Sequence, residues 1–216
     1  DLLFPHHECE IAQSVAAHGD EAVQYWMHNN LITINGQKMG KSLGNFITLD
    51  ELFSGKHSLL EKAYSSMTIR FFIMQAHYRS TLDFSNKALQ AAEKGLKRLF
   101  EAIDKIEMLP TSDKTDIELN KFEKDCYAAL NDDLNTPILI SHLFEGVKFI
   151  NSVSIGKASI KKEEKKRLAK IFDKFTIDIL GLKKEDGNGN KNDELTYELI
   201  NILLTMRLEA KNNKDF

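Results

Sequence analysis

Leu31-Ile32-Thr33-Ile34-Asn35-Gly36-Gln37-Lys38-Met39-Gly40-Lys41-Ser42 is the stretch on which the reading of the fold turns. Its first four residues are β-branched or large and apolar, the side chains that suit a pleated strand. Asn35-Gly36 follows, a dipeptide that accepts the positive φ values of a tight turn. A short strand or hairpin is predicted here, helped by a similar run at 23–27. Residues 37–47, with two lysines, two glycines and a serine, read as a mobile polar loop.

Upstream of this stretch, Pro5 is well placed as the first residue of a helix, because its missing N–H has no intrahelical partner there. The helix is expected over 6–18 and is stopped by Gly19. Downstream, helix resumes around 49–53, and a longer one is predicted over about 59–76. Leu60, Tyr64, Met67, Phe71 and Met74 recur there at three- and four-residue intervals. Residues 78–84 read as a linker and Ser85 as the N-cap of the next helix. Helices are then expected over about 86–108, 114–131, 136–155, 159–180 and 193–210, with Thr136-Pro137 as cap and first-turn proline. The linker 181–193 separates the last two. The predicted fold class is mainly α, a small mixed α/β region followed by an antiparallel helical bundle.

The 216 residues are 42% hydrophobic and 28% charged, which is the balance of a globular protein rather than a disordered one. No apolar run is long enough for a membrane helix, and no secretory signal opens the chain. Two cysteines, Cys9 and Cys126, make no disulfide framework and suit a reducing, cytoplasmic setting. A net charge of −3 excludes a chain that is basic throughout, so an RNA surface has to be a local patch. With no initiator Met, and an end at Lys214-Asp215-Phe216 after a helical pattern without a capping signal, the chain reads as a piece of a longer protein.

Four clusters hold chemistry. In Phe4-Pro5-His6-His7-Glu8-Cys9-Glu10, a helix puts His6 and Glu10 on one face, four residues apart, with Cys9 three from His6. Imidazole and carboxylate both bind zinc, yet a closed site needs four donors, and a solvated helix start fits the same spacing. In Lys38-Met39-Gly40-Lys41-Ser42, two ammonium groups suit a polyphosphate; a solvated basic turn is the alternative, and the glycine run of a Walker loop is lacking. His77-Tyr78-Arg79 with Asp83-Phe84 fits either a phosphate contact or a linker tied by an aromatic and an ion pair. The lysines at 157–174, interrupted by Glu163 and Glu164, fit a charged outer helix face better than an RNA contact.

In order, these motifs resemble a known family. Asp1-Leu2-Leu3-Phe4-Pro5-His6-His7-Glu8-Cys9-Glu10-Ile11-Ala12-Gln13-Ser14 is similar to a stretch of the cysteinyl-tRNA synthetases, with Cys9 where that family generally has Asn. Tyr25-Trp26-Met27-His28-Asn29 and Lys38-Met39-Gly40-Lys41-Ser42-Leu43-Gly44-Asn45 follow at the family spacing. The second resembles the KMSKS loop of class I aminoacyl-tRNA synthetases. His77-Tyr78-Arg79-Ser80 and Asn131-Asp132-Asp133-Leu134-Asn135-Thr136-Pro137 extend the likeness into the helical part.

The resemblance implies an ATP-dependent ligase that activates cysteine to cysteinyl-adenylate and transfers it to tRNA(Cys), as a cytoplasmic monomer with magnesium accompanying ATP. It implies one zinc ion that binds the substrate sulfur, with His6 and Glu10 as two of its four ligands and the two cysteine ligands elsewhere in the protein. Lys41 matches the ATP-binding lysine of the loop, and Lys38 its helper on the phosphates. Residues 1–30 are then the end of the catalytic domain, 31–84 the connecting region that carries the loop, and 85–216 a helical bundle along the anticodon stem. Gly40 stands where the family has Ser, which removes a hydroxyl and adds backbone freedom. The family's HIGH motif is not in the chain, so these residues alone are expected to be inactive. Two further readings stay open: a cysteine:amino-sugar ligase of the same superfamily, and a non-catalytic tRNA-binding scaffold.

Overall fold

In a computed structural model, which describes residues 3–20 and 23–185, the Asn35-Gly36 turn forms as its residues dictate, at φ 50° and 78°. It joins β1 (Ile32–Ile34) to β2 (Gln37–Lys38), an antiparallel pair registered Thr33 to Lys38 and Ile34 to Gln37. Lys38 therefore belongs to a strand and not to a mobile loop. A third strand, β3 (Leu82–Phe84), lies parallel to β1 on its other side, giving the order β2-β1-β3. The stretch predicted as a linker over 78–84 thus supplies a strand. The run at 23–27 forms none.

Two short helices make the crossover from β1 to β3. The first, over Leu49–Ser54, starts on a capping box in which Thr48 and Glu51 satisfy each other's backbone donors. The long helix expected over 59–76 is confined to Ser66–Met74, capped by Ser65. The chain folds back on itself before it. A Cβ on Gly55 would lie 2.5 Å from the backbone nitrogen of Ala63. The Tyr64 N–H donates to the Leu52 carbonyl at 3.0 Å. Leu60 and Tyr64 keep helical spacing in sequence while standing on an irregular segment.

At the N-terminal end, residues Leu3–His7 form a π-helical turn, and the α-helix proper, α1, runs over Glu8–His18 to a left-handed Gly19. Phe4 preceding the proline keeps an extended backbone (φ −133°, ψ 130°), and helical backbone begins at Pro5, as its sequence position predicts, in a π turn that leads into α1. We number the crossover helices α2 (Leu49–Ser54) and α3 (Ser66–Met74).

The bundle comprises α4 (Asn86–Ile106), α5 (Leu119–Asn131), α6 (Thr136–Ser154) and α7 (Lys162–Phe172), the last running on as a π-helix over Asp173–Ile179. The Ser85 hydroxyl accepts from the Ala88 N–H, as its sequence position predicts. For α6 the cap is Asn135, one residue before the expected Thr136, whose hydroxyl instead donates to the Met74 carbonyl. α4 buries Leu89, Ala92, Leu96, Leu99 and Ile106 along one stripe. Gly146 of α6 admits the rings of Phe122 and Phe172, which close to 2.9 and 2.8 Å of where its Cβ would be. Arg70 donates to the Leu180 carbonyl and Glu185 accepts from the Met67 N–H, which fastens residues 180–185 to the start of α3. The helix expected over 193–210 lies outside the described residues. No helix among the described residues is long and apolar enough to cross a membrane.

Candidate functional site

The two clusters of greatest chemical interest sit on the N-terminal half. In the first, His6, His7 and Glu10 each present a ligand atom within 4.8 Å of the other two. His6 Nε2 and Glu10 Oε1 are 4.0 Å apart, one helical turn from each other as the sequence predicts. Two donors on a tetrahedral zinc, each at about 2.1 Å, stand about 3.4 Å apart, so modest rotamer adjustment brings this pair into range. The donor chemistry and the spacing fit a zinc ion. Cys9 is exposed and outside this cluster, and Cys126 is buried. Burial pushes the Cys126 thiol up to about 12, so it remains protonated and inert.

His7 is the member that sequence reasoning passed over. Its Nδ1 is 2.8 Å from His28 Nε2, and its ring lies against Trp26, which stacks on His28. The Trp26-to-His28 run therefore backs the start of α1, which buries no residue of its own. A second ring hydrogen-bonded to the first fixes its orientation, as neighbours of metal-ligating imidazoles do. The presence of Trp and His in the 25–29 motif was the available signal.

The second cluster is the lysine loop. Lys38 ends β2, Lys41 opens a 3₁₀ turn over Lys41–Leu43, and both are exposed. Between them, Met39 tucks toward the core and Gly40 is extended (φ −165°, ψ 144°), a conformation any residue adopts. Nothing closer than 3.8 Å would meet a Cβ on Gly40, so the added freedom expected of glycine is not used here. The Lys41 ammonium sits 5.5 Å over the Phe46 ring. Phe46 and Met39 also line an apolar cavity of about 580 Å³ with Ile47, Leu49 and Ile73. Asn45, buried in this otherwise open loop, accepts from the Gly40 N–H at 2.9 Å and donates to the Lys38 carbonyl at 3.0 Å.

The remaining clusters resolve into structure. Asp133 accepts from the Tyr78 hydroxyl at 2.6 Å and pairs with Arg79 at 3.1 Å, while His77 Nε2 meets its carbonyl at 3.1 Å. The hydrogen bond to the Tyr78 hydroxyl, and after it the Asp133 charge, hold the Arg79 guanidinium even more firmly protonated than usual. The motifs at 77–80 and 131–137 are thus two sides of one contact, which is the tied-linker reading. Asn30 joins it, its amide donating to the Arg79 carbonyl and its N–H to that of Tyr78. In the basic stretch, Lys165 caps the end of α4 on the carbonyls of Glu107 and Leu109. Arg167 and Lys174 both pair with Glu123. That stretch is a helix face tied to its neighbours.

Residues 1–94 match the model of the class I (C) tRNA synthetase catalytic domain, and residues 125–184 that of the DALR domain. A cysteine–tRNA ligase of Bacteroides fragilis is 58% identical over the whole chain, one of Porphyromonas gingivalis 54%, and one of Chlorobaculum tepidum 41% over 99% of it. The chain spans less than half the length of these relatives, 44%, 44% and 43% respectively. Over its length the chain is thus similar to cysteine–tRNA ligases, with a class I catalytic-domain match at its start and a DALR match in its helical part.

Proposed function

We propose that this chain is part of a cysteine–tRNA ligase, which joins cysteine to ATP as cysteinyl-adenylate with release of pyrophosphate and then passes the cysteinyl group to the 3′-terminal adenosine of tRNA(Cys). The observation that carries the reading is identity of 58% over all 216 residues. Residues 1–30 contribute the metal end of the active site, 31–84 the lysine loop, and 85–216 the surface for the anticodon stem. The protein works as a cytoplasmic monomer, with magnesium entering on ATP.

The chemistry follows from the residues. The substrate carboxylate attacks the α-phosphorus and the bond to the β-phosphate oxygen breaks, so negative charge builds on the departing pyrophosphate. Lys41, supported by Lys38, places ammonium charge where it grows, and electrostatic stabilisation of this kind acts on the transition state more than on bound ATP. His6 and Glu10 are two of four zinc ligands, and two cysteine thiolates outside this chain are the others. A zinc ion there supplies a Lewis acid that favours a thiolate and takes poorly to a hydroxyl, which separates cysteine from serine. His7, held in orientation by His28, packs edge-on against the His6 ring beside the site.

Cysteine-dependent exchange of pyrophosphate into ATP tests the proposal. The full-length protein is expected to turn over, to charge tRNA rather than an amino sugar, and to lose at least about tenfold in kcat as Lys41→Ala. Residues 1–216 alone are expected to stay at background. A full-length protein that charges an amino sugar, or that activates serine as readily as cysteine, overturns it.

A further inference from the structure

We infer that Asn45 is a positioning residue of the lysine loop, its carboxamide clamping the backbone on both sides of Met39 and so setting where Lys38 and Lys41 stand against a triphosphate. The inference rests on the reading of the loop given under Proposed function.

Four observations meet at this side chain. First, Lys38, Lys41 and Ser42 are exposed, whereas Asn45 is buried, with 9% of its surface left exposed. Second, its two bonds have opposite polarity: it takes the Gly40 N–H and gives to the Lys38 carbonyl, which determines which end of the amide is oxygen. Third, the backbone around it is thinly held. Lys38 is registered on Thr33, and the turn at Lys41 closes on itself through Leu43 N–H to Gly40 and Gly44 N–H to Lys41. Between these two segments the Met39 N–H reaches the Ile32 carbonyl only at a long 3.4 Å. The Asn45 amide spans that weak joint. Fourth, Met39 and Phe46, which flank the joint, seat the loop on the apolar cavity below it but fix no distance between the two lysines.

Reach is what the clamp controls. Ammonium groups on flexible four-carbon stems act as point charges, and their value at a phosphate depends on where their Cα atoms begin. A displacement near 1 Å in catalytic geometry costs on the order of 10²-fold in rate. Aspartate, nearest in size, keeps the acceptor for Gly40 but presents a second oxygen to the Lys38 carbonyl in place of a donor. Alanine has neither bond.

Full-length protein carrying Asn45→Ala, Asn45→Asp, Lys41→Ala and the Lys41→Ala/Asn45→Ala pair is assayed by cysteine-dependent ATP–pyrophosphate exchange, with melting curves alongside. Asn45→Ala is expected to lower kcat by about 10- to 100-fold with the KM for cysteine held within about twofold. Asn45→Asp is expected to fall between it and the wild type. Because the residue acts through Lys41, Asn45→Ala added to Lys41→Ala is expected to cost less than about threefold more. Full multiplicative losses in the pair, or an Asn45→Ala enzyme at wild-type kcat, overturn the inference while leaving the function standing. Lys41→Ala at wild-type rate overturns the function itself. Should Asn45→Ala lose its melting transition, Asn45→Asp is judged by the same criteria.

Discussion

Single side chains show where sequence reasoning reaches and where it stops. His6 and Glu10 were visible because four residues on a helix return to the same face. His7 stands three residues before Glu10, a spacing that also shares a helix face, so the same rule offered it and it was passed over. The structure brings both imidazoles and the Glu10 carboxylate within 4.8 Å of one another. Asn45 was quoted as part of a motif, but its bonds reach back five and seven residues, beyond any local pattern. Gly40 was read for its freedom, yet its backbone is extended and a Cβ there would meet only ordinary contacts at 3.8 Å or more. We therefore predict that Gly40→Ser changes exchange kcat by no more than about twofold, the scale of a surface change near 0.5 kcal/mol. Steady-state rates at saturating ATP check this, and a tenfold change in either direction refutes it.

Among the elements, the long bundle helices were the most legible, since Ser85 and the apolar stripe of α4 give both a start and a face. Short strands fared worse. β3 pairs with β1 some 50 residues away, a parallel register for which three residues offer no local cue. What holds that pairing is Asp83, whose carboxylate takes the Thr33 hydroxyl at 2.6 Å and the Gly36 N–H at 2.7 Å. These bonds lower its pKa, the Thr33 hydroxyl contributing most. A depressed folded pKa gives stability that is present above the ordinary carboxylate range and is lost as pH falls through the folded value. Asp83→Ala is expected to reduce unfolding free energy at pH 7 by about 1 kcal/mol, a charged hydrogen-bond pair discounted for exposure. The gap between variant and wild type is expected to narrow in acid. Urea titrations at pH 7 and at pH 3 measure both; an equal gap at the two pH values counts against this account.

At the scale of the whole molecule, the sheet region and the bundle share one apolar core, with α3 packed on α4 and Phe71 of α3 against Phe144 of α6. Polar contacts add to it at the edge: Asn30 bonds the carbonyls of Tyr78 and Arg79, residues 77–79 meet Asp133, and Arg70 holds the Leu180 carbonyl. The bundle's own interior depends on Gly146, where two phenylalanine rings close on the α6 backbone. Composition alone marks this glycine as a helix weakener, and only the packing explains it. Gly146→Ala trades a small gain in helix propensity for a clash with two rigid rings. It is expected to destabilise by about 1–3 kcal/mol, read as a lowered urea midpoint. A raised midpoint indicates that Phe122 and Phe172 yield freely.

The abrupt passage from β3 into the Ser85 cap has a mechanical consequence. The 21 residues of α4 extend about 32 Å from that cap. Its root is bonded side by side to β1, and through β1 to the strand that ends at Lys38. A load applied at the far tip is therefore delivered by a stiff lever to the strand that bears Lys38, through two backbone ladders and no slack tether.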